Sequence, residues 1–146
     1  PRVKGFRFEG ADRAEAVSGA REAIRSADVI VICPSNPWVS IDPILKVLPK
    51  IQKPVVAVSP IIGGETVKGP AAKMYRELGI EPSALAVARH YRELLHGFVL
   101  DEVDKQLEGE IMRLGIKTAV TKTLMKSHDD RVQLAQDVMS LIGKIV

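Results

Sequence analysis

Two loops of this sequence combine short hydroxyl and amide side chains, paired glycines and a single lysine, a set suited to holding an anion such as a phosphate. The first is Pro34-Ser35-Asn36-Pro37-Trp38-Val39-Ser40-Ile41-Asp42. Its prolines fix the backbone, while Ser35, Asn36 and Ser40 offer uncharged hydrogen-bonding groups beside a helix start, where free N–H groups favour phosphate oxygens. Ser35 and Asn36 can equally satisfy local backbone, and Asp42 can be a plain helix cap followed by Pro43. The second loop is Ser59-Pro60-Ile61-Ile62-Gly63-Gly64-Glu65-Thr66-Val67-Lys68-Gly69-Pro70. It exceeds the usual strand-to-helix connection of about 2–6 residues, and long ordered loops tend to be functional. Gly63 and Gly64 would let a ligand approach backbone N–H groups. Lys68 precedes a helix start, where a cation opposes the helix dipole unless an anion lies between them. A Gly-Gly pair is also an ordinary turn, and no phosphate-loop string Gly-x-x-x-x-Gly-Lys-[Ser/Thr] occurs.

Other reactive types are sparse. Asp101 and Asp104 could hold Mg²⁺ through carboxylate oxygens, although Asp104 reads first as the N-cap of the helix behind it. His90, His96 and His128 lack metal-ligand spacing and read as packing or surface residues. Cys33, the single cysteine, reads as a small buried apolar residue. Trp38, on a loop, reads as an exposed indole able to meet a ring or a partner. No Ser-His-Asp or Cys-His set is legible.

Apolar periodicity supplies the elements that must position these loops. Helices are predicted over 13–27, from Asp42 to Leu48, and behind Gly69-Pro70 as far as Gly79. Others are predicted behind Pro82-Ser83 as far as Gly97, over 103–114, and behind a Ser127/Asp130 capping box with Ala135, Val138, Met139 and Ile142 buried. Strands are predicted at 28–33, 55–59, 98–101 and 116–121, with a further one at 3–8. The first two read as fully buried, apolar on both faces. Strands alternating with helices imply a Rossmann-like, doubly wound α/β fold, its mostly parallel sheet covered by helices on both faces, in a single domain over residues 1–146. Ligands of such sheets bind beyond the carboxyl ends of the strands, here loops 34–42, 59–69, 101–104 and 122–127.

Composition narrows the classes of function. With 21 Lys and Arg against 18 Asp and Glu, the net charge of +3 is mild and interspersed, so no nucleic-acid partner is expected. The longest apolar runs fall far short of the roughly 18 residues of a membrane span. One cysteine excludes an internal disulfide. With no signal peptide and an opening at Pro1, the chain is expected to be a cytoplasmic domain, cut from something longer.

Four segments together resemble a known family: Ala27–Leu45, with Cys33-Pro-Ser-Asn-Pro37; Pro54–Ala71, with Ser59-Pro-Ile-Ile-Gly-Gly64 and Val67-Lys-Gly-Pro70; Ser83–Tyr91; and Gly97–Asp104. The combination resembles the 2-phospho-L-lactate transferases of deazaflavin coenzyme F-420 biosynthesis, over essentially the whole chain. It departs at Cys33 and Asp42, where glycine is expected. The family enzyme is longer, and its N-terminal half holds a glycine-rich loop with acidic residues that has no counterpart here, so the chain is expected to be the C-terminal half.

The resemblance implies a phospholactyl or phosphoenolpyruvyl transferase, using a guanosine diphosphate-linked donor and a deazaflavin acceptor with Mg²⁺, and releasing GMP. It implies a nucleotide or phosphate contact for Ser35, Asn36, Pro37, Ser40, Ser59, Gly63, Gly64, Lys68 and Gly69. Asp101 would contact the acceptor's ribityl chain, as a weak catalytic candidate, and Asp101 and Asp104 would be weak metal candidates. A homodimer that needs the missing N-terminal half is expected. The rival reading is a non-catalytic, nucleotide-sugar-binding regulator of a sibling family, whose first loop carries a Gly-Pro-Gly-Ser-type string in place of Cys33-Pro-Ser-Asn-Pro37.

Overall fold

The computed structural model describes residues 2–146. In chain order its first elements are α1 (Ser18–Ser26), β1 (Ile30–Ile32), a π-type turn (Pro37–Ile41) and α2 (Asp42–Val47). Then come β2 (Val55–Val58), β3 (Ile61–Ile62), β4 (Glu65–Thr66), α3 (Ala71–Glu77) and α4 (Ala84–His90). The chain continues through β5 (Gly97–Asp101), a 3-10 turn (Glu102–Leu107), α5 (Glu108–Met112), β6 (Lys117–Thr121) and α6 (His128–Ile142). Strands β1, β2, β5 and β6 form one parallel sheet in that order, and β3 and β4 form a separate antiparallel hairpin.

Helices cover both faces, as the alternation of elements predicts, and the fold is Rossmann-like α/β. On one face Ile32, Ala57, Phe98 and Leu100 pack against Tyr75 of α3, Val87 of α4 and Ile111 of α5. On the other, Val56, Val58 and Val99 pack against Leu134, Val138, Leu141 and Ile142 of α6. This opposite facing of neighbouring residues is the period of two of a strand. In β2 and β5, central strands, every residue is buried. The Ser127/Asp130 capping box is present at the head of α6, with both side-chain-to-backbone bonds made.

The structure corrects several expectations. β1 is an edge strand rather than a fully buried one, and Val31 is 39% exposed. Residues 3–8 form no strand; instead Phe6 stacks on Trp38. Helix α1 starts only at Ser18 and buries none of its residues. On α6, Leu134 and Leu141 are buried in place of Ala135 and Met139, which lie on its exposed side. Gly97 does not end a helix, since α4 stops at His90 and Gly97 opens β5. A Cβ there would stand 2.6 Å from Ile145 Cδ1, 3.1 Å from Val56 Cγ2 and 3.2 Å from Leu141 Cδ2, so the missing side chain is what lets the segment behind α6 close on the sheet. No helix among the described residues is long and apolar enough to cross a membrane.

Candidate functional site

The loops that leave the carboxyl ends of β1, β2 and β6 wall a single cavity of about 460 Å³, within the size range of small-molecule sites. Ser35, Asn36 and Ser40 come from the first loop, Ser59 from the second and Thr123 to Met125 from the third. The β3–β4 hairpin and the segment behind it add Ile62, Thr66, Lys68 and Gly69. Lys68 is the one charged side chain in the lining. It is exposed, and among the described residues no carboxylate pairs with it. The rest of the wall is hydroxyl, amide and apolar, with Val39, Val67 and Met125 presenting exposed apolar groups. An anion can therefore enter without meeting a like charge in the wall.

Local hydrogen bonds explain how these side chains are set. Asn36 Oδ1 accepts from Trp38 N at 3.1 Å and Val39 N at 3.3 Å, capping the π-type turn, and Nδ2 lies 3.3 Å from Met74 Sδ. Ser59 Oγ donates to the Ile61 carbonyl at 2.8 Å and accepts from Ile61 N at 3.2 Å. Thr66 Oγ1 donates to the Gly69 carbonyl at 2.9 Å, closing the turn that carries Lys68. Asn36 and Ser59 thus serve the backbone as well as the cavity, the local role left open by the sequence.

Pro37, Gly63 and Gly64 do not line the cavity. Gly63 and Gly64, with φ of 57° and 80°, are the two-residue turn of the β3–β4 hairpin, which demands left-handed backbone at both positions. Gly63 N is not free for a phosphate, because it donates to Asp104 at 3.1 and 3.2 Å from the two carboxylate oxygens. Asp104 is not the N-cap of the next turn. That role falls to Asp101, whose Oδ1 accepts from Val103 N at 3.1 Å while Oδ2 accepts from Thr123 N at 2.8 Å and Thr123 Oγ1 at 2.9 Å. Burial pushes the Asp101 carboxyl up, but the bonds from Thr123, Val103 and Leu124 outweigh it and hold it below the ordinary range. Burial, aided by the charge of Asp101, outweighs the Gly63 bond and holds Asp104 above that range.

The two carboxylates do not face the cavity. Both are buried, and both are committed to N–H donors. Among the described residues no three His, Cys, Asp or Glu side chains are grouped to hold a metal.

Three further residues depart from expectation. Trp38 is buried, held between Phe6, Tyr75 and His90. Cys33 is exposed, because the edge strand ends there. Asp42 makes no cap bond; its carboxylate meets His90 Nε2 at 2.9 and 3.1 Å. His90 is accordingly a packing residue tying α4 to α2, as its spacing suggested. Sequence reasoning passed over Thr123, Leu124 and Met125. The rule of carboxyl ends singles out their loop, yet their residue types carry no chemical signature. A second concavity, of about 340 Å³, is lined by Arg21, Arg25, Lys50 and Lys53 near the amino ends of β1 and β2, away from the edge where such sheets bind ligands.

Fold and cavity place the molecule among open parallel α/β proteins with a small-molecule cleft beyond the strand ends. A family model described as 2-phospho-L-lactate transferase CofD matches residues 1–144, and the chain belongs to that family. It is 40% identical to the 2-phospho-L-lactate transferase of Methanopyrus kandleri, over 100% of this chain and 48% of that protein. It is 39% identical to the enzyme of the same name from Methanosarcina acetivorans, over 99% and 48%. A phosphoenolpyruvate transferase of Streptomyces griseus is 40% identical over 93% of this chain and 45% of its own length. The chain spans about half the length of the curated relatives it matches.

Proposed function

We propose that this chain supplies one wall of the donor site of a transferase that moves a 2-phospholactyl or phosphoenolpyruvyl group from a guanosine diphosphate-linked donor to the ribityl hydroxyl of a deazaflavin. The acceptor oxygen bonds to the phosphorus that carries the lactyl or enolpyruvyl group. The bond from that phosphorus to the bridging oxygen breaks, GMP leaves with the bridging oxygen, and the hydroxyl proton passes to solvent or a base. Such chemistry is mostly positioning and charge neutralisation, and it needs no enzyme nucleophile. The observation that carries the reading is Lys68, which among the described residues pairs with no carboxylate, in a cavity wall otherwise built of neutral groups. Lys68 would neutralise the diphosphate, with Ser35, Ser40 and Gly69 donating to its oxygens. Asp101 and Asp104 stay outside the reaction. The ligands of Mg²⁺, and the second wall of the site, would come from the half of the relatives that this chain does not span.

Titration calorimetry tests the reading on the chain mixed with the N-terminal half of the Methanopyrus kandleri relative. GDP should bind more tightly than UDP-N-acetylglucosamine. Tighter binding of the UDP-sugar would replace the transferase by a nucleotide-sugar-binding regulator.

A further inference from the structure

Asp101 and Asp104 belong to one short turn, neither touches the cavity, and each is bonded to a different loop that does. We infer that the turn Asp101-Glu102-Val103-Asp104 is the positioning element of the cavity, a two-handed clamp that fixes the hairpin and the loop after β6 relative to the sheet.

The clamp stands at the end of a fully buried central strand. Asp101 is the last residue of that strand, β5, and is paired in register with Thr121 of β6. From there Asp101 takes both the N–H and the hydroxyl of Thr123, at 2.8 and 2.9 Å. That residue opens the stretch Thr123–Met125 of the cavity wall. One turn on, Asp104 takes Gly63 N with both oxygens. Gly63 is the tip of the hairpin whose flanks bring Ile62, Thr66 and, just beyond, Lys68 to the same wall. The two elements also meet: a Cβ on Gly63 would lie 3.3 Å from Val103 Cγ1, and the positive φ of 57° favours glycine at this tip.

The arrangement is costly. Asp101 is 6% exposed and Asp104 3%, and neither has a cationic partner among the described residues. Burying two carboxylates this close without a counter-charge works against stability. What it provides is charge-assisted acceptors, stronger than neutral ones, at the two points where loops of the cavity wall are tied to the sheet. Fixing the groups around a ligand before it arrives is what positioning residues contribute. This inference rests on the reading that the cavity takes the donor's diphosphate, but the clamp itself can be measured with no ligand present.

The test is amide hydrogen exchange on Asp104→Ala, Asp104→Asn and Asp101→Ala in the whole chain, followed by GDP titration of the same variants. Asp104→Ala should speed exchange at Gly63 at least tenfold while Ser59 N, bonded to the Val99 carbonyl inside the sheet, stays unchanged. Asp104→Asn keeps an oxygen for Gly63 N and should restore most of the protection. Asp101→Ala should speed exchange at Thr123 and leave Gly63 alone. GDP affinity should fall more than tenfold in both alanine variants and recover with Asp104→Asn. Unchanged exchange at Gly63 and Thr123, or an equal rise at Ser59, would overturn the clamp, as would GDP affinity that ignores the loss of protection. A parent chain that shows the exchange pattern but binds no GDP would overturn the donor-site reading and leave the clamp standing.

Discussion

Replacing Lys68 by alanine separates a ligand contact from a fold contact. An ammonium about 4 Å from one phosphate charge, at an effective dielectric constant of about 20, attracts it by roughly 4 kcal/mol. Ordering the lysine side chain and stripping its water return part of this, leaving the roughly 1.5–3 kcal/mol of a charge-assisted hydrogen bond. GDP should therefore bind Lys68→Ala about 10- to 100-fold more weakly, and raising the salt toward 1 M, where the screening length shrinks to about 3 Å, should erode the difference. Stability should hardly respond. Lys68 is exposed and pairs with no carboxylate among the described residues, so its removal falls within the roughly 0.5 kcal/mol of ordinary surface substitutions, a shift of about 2 °C in Tm at this size. Titration calorimetry beside thermal melts reads both quantities. A dissociation constant within threefold of the parent's, or a loss of affinity that tracks a large fall in Tm, would refute the assignment.

Gly97→Ala should lower stability by about 1–3 kcal/mol by overpacking, because Val56 and Leu141 are buried and cannot retreat from the new Cβ; an unchanged urea midpoint would contradict the packing described. The two clamp carboxylates should give opposite pH signatures. Asp104 lies above its ordinary value near 3.8, so its contribution is complete below that value and is lost as pH rises through its folded pKa. Urea melts should show the stability of the parent relative to Asp104→Asn declining across that window. Asp101 lies below the same ordinary value, so its contribution is present above it and is lost as pH falls through its folded pKa; the parent's advantage over Asp101→Asn should shrink on acidification. Supplied with lactyl diphosphoguanosine, a deazaflavin and Mg²⁺, the chain alone should release no GMP above background, and adding the part of a relative that this chain does not span should restore release; chromatography of the nucleotides reads both.

Much of this architecture is legible from residue order, and the failures have physical causes. Val55–Val58 and Phe98–Leu100 announce central strands because they are apolar on both faces. Asp28 to Cys33 carries the same pattern, yet hydrophobicity alone cannot say whether a strand has a neighbour on each side, and β1 has one on one side only. On α6 the apolar residues outnumber a single face: Ala135 and Met139 keep helical spacing with Val138 and Ile142, but the branched Leu134 and Leu141 share the buried face with the latter pair and pack on the sheet.

The site divides along the same line. Ser35, Ser40, Lys68 and Gly69 reach the cavity because the carboxyl-edge rule is geometric and depends only on the alternation of elements. Gly63 and Gly64 illustrate a competing rule, since two glycines between Ile61-Ile62 and Glu65-Thr66 are a tight hairpin turn before they are a phosphate cradle. Which of Asp101 and Asp104 caps the turn depends on where Thr123 and Gly63 arrive, and both come from parts of the chain distant in sequence.

The central claim is that a nucleoside diphosphate sits at the carboxyl edge of the sheet against Lys68. Titrating GDP into the isotopically labelled chain and following backbone amide shifts reads this directly, even at weak affinity. Shifts should concentrate at Ser35, Ser40, Lys68, Gly69 and Thr123 to Met125, and in Lys68→Ala they should need about 10- to 100-fold more GDP to develop. Shifts centred instead on Arg21, Arg25, Lys50 and Lys53, or no shifts at millimolar GDP, would contradict the claim.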